Sequence, residues 1–421
     1  MTTIAEPRTG TPRSAFANRA FRWVFLGAFA SNIGTWMQNV ALLALANRLG
    51  GPEFVGLVTF AQLGPMLVLS PFGGVLADRL DRKVLMITAA AVQLVLSVGL
   101  AIVAHSSRPS HALIVAAVGG IGIAAAANAP AAQATLPALV PREDLGGAVA
   151  LNSAQMNASR VLGPLLAVIP FLHVPSAVFL VNAATYLFVI VAVAVVQFDS
   201  RPRRRTGHEE EREGPLRELA GGLAAAKADP VIGRALATVA IYSLCSLVFI
   251  YQMAGLASDA LHLRTGWFQL LFATFGLGAA VGAIAVGTVL RSTDRTVLVR
   301  VGLGGFAVGL AVFGSLSTPA PAFPAVAVTG FFYFVVITAL STAIQHEVTD
   351  HTRGRVMGLW MMAWAGLVPV GSYLAGAIIP HTGYRPVLWF GAAVAFALIA
   401  LADLRGAIAE PPDPVQPPDF L

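Results

Sequence analysis

"GGVLADRLDRKVLMITAAAVQLVLSVGLAIVA", residues 73–104, joins two kinds of chain that a soluble domain keeps apart. Five of the six residues from Asp78 to Lys83 are charged, whereas Val84–Ala104 carries no charge over 21 residues. About 20 apolar residues in a helix rising 1.5 Å each cross roughly 30 Å of hydrocarbon. The charged cluster then marks the water boundary at one end of a membrane span. The chain as a whole is 57% hydrophobic and only 11% charged, with a mean hydropathy of +0.75. A secreted precursor would show one such segment near its start, but here they recur to the end.

Twelve spans follow from the apolar runs: 22–46, 54–76, 84–104, 112–136, 146–170, 173–197, 231–256, 264–290, 297–316, 321–346, 354–378 and 384–404. The runs are continuous, which excludes the alternating ~10-residue strands of a membrane barrel. Gly64-Pro65, Gly163-Pro164 and Pro369 fall inside spans, where membrane bundles tolerate them. With the N-terminus in the cytoplasm, 22 of the 27 Lys and Arg lie on the inner side. Only Arg48, Arg108, Arg264 and Arg385 lie outside, and Arg160 lies within a span. The positive-inside rule therefore predicts a multi-pass protein of the cytoplasmic membrane with both termini inside.

Several functions are disfavoured by the same pattern. A net charge of +6 attends the ends of membrane spans, so nucleic acid is not expected as a partner. Cys245 is the single cysteine, and the eight histidines lack ligand spacing, so neither a disulfide nor a metal site is expected. "GLGGFA" (302–307) and "GIGIAA" (120–125) match a dinucleotide pattern but lie inside spans, not after strands. No cofactor and no catalytic constellation is expected. Gly278/Gly282 and Gly305/Gly309 instead space small residues for close helix packing.

The longest polar interval, Gln197–Leu219, divides the spans six and six. The expected organisation is a tail (1–21), a six-helix bundle (22–197), a cytoplasmic linker (198–230), a second bundle (231–404) and a C-terminal tail (405–421). Motifs recur across the halves. "GVLADRLDRK" after span 2 aligns with "GTVLRSTDRT" after span 8, so Gly74, Asp81 and Arg82 fall on Gly287, Asp294 and Arg295. "VPREDLGGAVAL" before span 5 aligns likewise with "VTDHTRGRVMGL" before span 11. Parallel six-helix repeats form a binding cavity between two rocking halves.

On these residues the chain resembles the major facilitator superfamily, whose signature after span 2 reads G-x-x-x-D-R-x-G-R-[KR]. Gly74, Asp78, Arg79, Arg82 and Lys83 match it, and Asp81 replaces the second Gly. "SNIGTWMQNVALLAL", "LPALVPREDLGGAVALNSAQMNASRVLGP" and "RGRVMGL" resemble its enterobactin-exporter and macrolide-efflux-like branch, over about residues 20–405. The resemblance implies an all-α membrane fold of two pseudo-symmetric six-helix bundles. It also implies that Asp78 contacts the start of span 11 near Arg353 and Arg355, latching the inner gate when closed. Topology alone explains the basic residues of the cluster but not Asp78, since acidic residues contribute little to orientation.

Arg160 is the one strongly charged residue deep within a span, and it needs a partner in the bundle interior. Two roles stay open for it: an anionic substrate group, or bracing against carbonyls of a neighbouring helix. Gly163 and Pro164, which follow, resemble the bend motif of exporters' span 5. Asn32, Gln38, Asn39, Gln155, Asn157, Tyr242, Gln252, Tyr333, Gln345, Trp360 and Trp364 are the other cavity candidates. Trp36 and Trp267 are read as interfacial anchors. Aromatics and amides with few charges suit a bulky amphipathic ligand. Glu347, beside His346, is the candidate proton carrier, with a gate or capping role competing. The expected function is proton-driven export of amphipathic organic molecules (drug, macrolide or siderophore) by a monomer. An importer on the same scaffold, or a membrane sensor that transports nothing, are the rivals.

Overall fold

The computed structural model describes residues 11–169, 174–198, 200, 215–263 and 267–404, with side chains described except at 70–79, 215–219 and 350–351. Every regular element among these residues is helical. A short α1 (Pro12–Ala17) is closed by a reciprocal capping box between Thr11 and Ser14. The long α2 (Arg19–Arg79) then crosses twice, because it folds back at Gly50–Gly51. The sequence leads one to expect a connection between spans 1 and 2 at residues 47–53. Gly50 and Gly51 both leave the helical range there, and Gly51, at φ +61°, takes a conformation open to glycine without strain.

The remaining N-terminal spans are α3 (Arg82–His105), α4 (His111–Thr135), α5 (Leu145–Leu166) and α6 (Pro175–Val195). The linker contains α7 (Pro215–Ala228), built from the Leu- and Ala-rich stretch "PLRELAGGLAAAKA". Span 7 is a composite of α8 (Pro230–Ile241), a π turn at Tyr242–Ser246, α9 (Phe249–Gly255) and a second π turn at Leu256–Ala260. Spans 8 to 10 are α10 (Trp267–Gly287), α11 (Arg295–Ser315) and α12 (Pro319–Glu347). Span 11 joins α13 (Asp350–Met361) to α14 (Leu367–Thr382) through a third π turn at Met362–Gly366, and α15 (Tyr384–Ala397) begins span 12. Prolines open α1, α6, α8 and α12, where the missing N–H costs no helix bond.

Nine of these helical runs are long and apolar enough to cross a membrane, among the described residues. With the return leg of α2, α5 and α15, they make the twelve spans of an all-α membrane protein. The two halves pack alike. Spans 2 and 4 (α2, α4) pair as spans 8 and 10 do (α10, α12). Spans 3 and 6 (α3, α6) pair as spans 9 and 12 do (α11, α15). The close pairs rest on glycine: Gly122 of α4 lies on the Gln62 carbonyl, and Gly330 of α12 lies on the Phe275 carbonyl. Gly278 and Gly282 meet the carbonyls of Ala327 and Phe331, and Gly309 meets Thr329, so the small-residue spacing does bring helices together.

The aligned motifs share a capping role. Asp81 caps α3 by accepting from the N–H groups of Lys83 (2.8 Å) and Val84 (3.3 Å), and Asp294 caps α11 through Val297 N–H (3.1 Å). Asp81 also accepts from Ser200 Oγ at 2.8 Å, which ties the start of the linker to the bundle. Both described ends of the chain and α7 lie on one side of the molecule. There Thr11 touches Gly147, Arg234 Nη1 donates to the Asp403 carbonyl (2.9 Å), and α7 packs on α13. That side is the terminal side below, and the opposite one the far side.

Candidate functional site

The two halves meet from the middle of the molecule to its far side. At the far side, Gln252 Nε2 of α9 donates to the carbonyls of Pro52 and Ser372, each at 3.3 Å. Asn47 Nδ2 donates to Ser258 Oγ at 3.2 Å. Gly56 has the Ser372 carbonyl 2.8 Å from where a side chain would begin, and Gly376 has the Pro52 carbonyl at 2.6 Å. Only glycine permits these backbones to touch. Phe60 and Tyr373 stack across the same seam, with ring centroids 5.8 Å apart. Gly146 on α5 and Gly354 and Gly358 on α13, towards the terminal side, have nothing within 4 Å of that position among the described residues. The far side is sealed.

Arg160 sits at the middle, where the halves first touch. Pro164 has no N–H to give the carbonyl four residues earlier, which is that of Arg160. This carbonyl lies 3.0 Å from where a side chain on Gly276 of α10 would begin. Gly163 does a second job: it lets Ile33 and Trp36 of α2 press onto α5, with the Trp36 Cβ 2.5 Å from where its own side chain would start. The Gly163-Pro164 pair therefore sets span 5 against spans 1 and 8 together. The guanidinium carbon of Arg160 lies 5.3 Å from the Trp36 ring and 5.0 Å from the Phe334 ring, one from each half.

Two such cation–π contacts contribute about 0.5–2 kcal/mol each. A charge at this depth costs at least ~2.5 kcal/mol, so the rings offset much of the cost. They accept no N–H hydrogen bond, however, and Arg160 Nη1 is buried without an acceptor among the described residues. Among the described residues no carbonyl braces Nη1, as one of the two roles open from sequence would have it. Tyr333 packs edge-on to Phe334, with ring centroids 5.7 Å apart. Phe272 and Phe275 continue the aromatic wall, 6.4 Å from Trp36 and 5.6 Å from Tyr333 between centroids.

The other sequence candidates divide by position. Asn32 Nδ2 donates to Gln155 Oε1 at 3.4 Å, joining spans 1 and 5 beside the centre. Asn39 accepts from Gln62 at 2.7 Å, within the α2 hairpin, and Asn157 only bonds its own helix at Ser153. Gln38 does not line a cavity: it is 1% exposed and accepts from Ser97 (3.1 Å) and Asn182 (2.9 Å) inside the N-terminal bundle. Tyr242 is likewise enclosed, edge-on to Phe306 in the C-terminal bundle. Trp360 is buried and stacks on Trp364. Gln345, bonded to Ser341, is exposed at the terminal end of α12 with His346 and Glu347. Trp36 is no interfacial anchor but a wall of the centre, whereas Trp267 is half exposed and packs on Phe323.

The charged cluster has a structural share. Lys83 Nζ donates to the carbonyls of Ala194 (2.8 Å) and Val196 (2.9 Å), and Arg82 Nη1 donates to that of Ala134 (3.2 Å). These bonds close the open ends of α6 and α4. Arg295 is half-buried beside its capping Asp294, and Arg355 lies over Gly221 of α7. Arg353 stands in the first turn of α13. Gly74, Asp78 and Arg79 fall within α2, but their side chains lie outside the described residues, and so does the latch assigned to Asp78. A cavity of ≈ 580 Å³ opens on the far side of the C-terminal half, among Asp259, His262, Tyr384, Arg385 and Trp389. Sequence reading missed it and the seal, since Gly56, Gly376, Asn47 and Ser258 carry no motif.

Comparison with known proteins agrees with this architecture. The enterobactin exporter EntS of Citrobacter koseri is 26% identical over 404 residues, covering 94% of this chain and 95% of the relative. An Escherichia coli EntS is 25% identical over 401 residues, with 93% and 94% covered. Among solved structures, the nucleoside transporter NupG superposes with a TM-score of 0.73 at 12% identity, covering 92% of this chain and 100% of its own. The human organic anion transporter MFSD10 gives 0.62 at 17%, covering 91% and 99%. At these identities the structures show a shared fold alone. The family model described as transmembrane secretion effector matches residues 10–413, so the chain belongs to that family of the major facilitator superfamily, secondary transporters of small molecules and not enzymes.

Proposed function

We propose that the chain exports amphipathic organic molecules across the cytoplasmic membrane by alternating access, in exchange for protons and as a monomer. The terminal side is the cytoplasmic one in this reading, on the strength of the 22 inner Lys and Arg. The observation that carries the proposal is the aromatic centre at Arg160, walled by Trp36 of one half and Phe334 of the other beneath a sealed far side. A bulky, flat solute fits such walls better than a sugar or a small ion does. The likeness to enterobactin exporters favours the outward direction.

Transport then needs the seam to swap sides. Bonds such as Gln252 to Pro52 break, and the inner gate closes through Asp78 at the start of span 11, near Arg353. Protons enter at Glu347, whose exposed place at the end of α12 gives it access to bulk water. Everted membrane vesicles test the whole reading. Energised vesicles should accumulate an amphipathic dye in a chain-dependent way, and a protonophore should abolish it. Accumulation only in right-side-out vesicles would mean an importer, and none in either would mean a membrane sensor. Glu347→Gln should uncouple accumulation from the pH gradient if that carboxylate carries the proton.

A further inference from the structure

Arg160 has a feature that export of amphipathic molecules in general does not explain. Its guanidinium lies where the halves meet, with ring faces at 5.3 and 5.0 Å. Rings satisfy the positive face of a guanidinium but none of its N–H donors. Nη1 is buried without an acceptor, and no carboxylate among the described residues forms an ion pair with it. Gln38 holds Ser97 and Asn182, and Asn39 holds Gln62; the Tyr242 hydroxyl and Gln269 Oε1 are buried without a partner too, but they are neutral, whereas Arg160 carries a charge. An unpaired planar cation at the centre of a membrane protein is completed by something that comes and goes.

We propose that the centre binds a deprotonated organic acid: a flat apolar body carrying one carboxylate, or a similarly planar acidic group, that docks on the free edge of Arg160. This rests on the transport reading above and names its substrate class. The guanidinium fork matches a carboxylate with two parallel N–H···O bonds, which a lysine at the same place cannot supply. The walls from Trp36, Phe272, Tyr333 and Phe334 then take the apolar body. Selectivity follows from the sign of the charge. A cationic solute meets like charge in a site of low dielectric, and a neutral one leaves the buried donor unmatched.

The test is direct binding to the purified full chain in nanodiscs, with 2-naphthoate, 2-naphthamide and 2-naphthylmethylammonium as size-matched probes. The wild type should bind the acid at least about tenfold more tightly than the amide, since a fork-matched anion replaces an unmatched donor. Arg160→Gln should reduce that ratio to near one. Arg160→Lys should keep part of it, because the charge survives and the fork does not. Equal binding of the three probes by the wild type, or binding of none, overturns the proposal without recourse to any variant. A ratio undiminished in a folded Arg160→Gln also overturns it. Acid-selective binding in a chain that moves nothing in vesicles supports this site and overturns the transport reading instead.

Discussion

The two halves share a topology but not a means of cohesion. In the N-terminal half, amides hold the spans together: Gln38 joins Ser97 and Asn182, Asn39 joins Gln62, and Asn32 joins Gln155. In the C-terminal half, rings do the same work. Phe249 packs edge-on against Phe275, Phe306 and Phe313, and Tyr242 against Phe306. All three π turns among the described residues fall in the C-terminal half, in spans 7 and 11. Those spans also carry Gln252, Ser258, Ser372 and Gly376 of the seal. Hydrogen bonds fix one geometry, whereas ring stacks keep most of their contact energy as they slide. Duplication supplied one scaffold, and its second copy holds the interrupted helices, where backbone bonds are easiest to rearrange.

The largest effects should come from the glycines that both halves use alike. Gly122→Leu and Gly330→Leu each drive a side chain into a backbone carbonyl of the neighbouring span. Each should destabilise by about 3 kcal/mol or more and lower the yield of folded protein, read by fluorescence-detected size exclusion. A tolerated Gly330→Leu would show that the C-terminal half yields where the N-terminal half does not. The next pair separates the two means of cohesion. Gln38→Leu strands Ser97 and Asn182 and should cost roughly 1–3 kcal/mol, seen as a lower melting temperature in detergent. Tyr242→Phe removes a hydroxyl that is buried without a partner, so the melting temperature should hold or rise.

The caps come third. Asp81→Ala and Asp294→Ala should each cost about 1 kcal/mol, with Asp81 the larger because it also holds Ser200. Equal shifts in melting temperature would remove that asymmetry. The smallest effect belongs to Asn47→Ala, which deletes one seal bond worth ~0.6 kcal/mol. It should lower the melting temperature in detergent less than either cap variant does. An unchanged melting temperature would mean that the glycine backbone contacts alone hold the far side shut.

Sequence and structure agree best where one residue type answers one constraint. Apolar length placed the spans, and the alignment of Asp81 with Asp294 foretold a shared position, although not that both are helix caps. The corner at Gly50–Gly51 falls within the connection expected at 47–53, although nothing in the sequence said that helix would run up to it on both sides. The cavity residues were harder. Gln38 and Asn32 lie six residues apart on one helix, yet one faces the N-terminal bundle and the other span 5. Nothing in an amide's identity says which face it takes. Arg160 stood out because charge is rare in hydrocarbon, but its walls did not, since Phe334 and Trp36 are ordinary residues for a membrane span. The seal left little signal: Gln252 stood out as a cavity residue rather than a seal, and the rest is glycine backbone and ordinary side chains such as Asn47 and Ser258.

Cys245 lies in the π turn at Tyr242–Ser246, partly exposed, and it is the only thiol in the 421-residue chain. For spectroscopy this is a ready-made address. A fluorinated tag can be attached there without altering any other residue, and fluorine NMR would then show span 7 at its interruption. One resonance that splits or moves as solute is added would count the conformers and time their exchange. A chain built without cysteine pairs thus carries, by accident of composition, a single reporter in the span that also holds Gln252 and Ser258 of the seal.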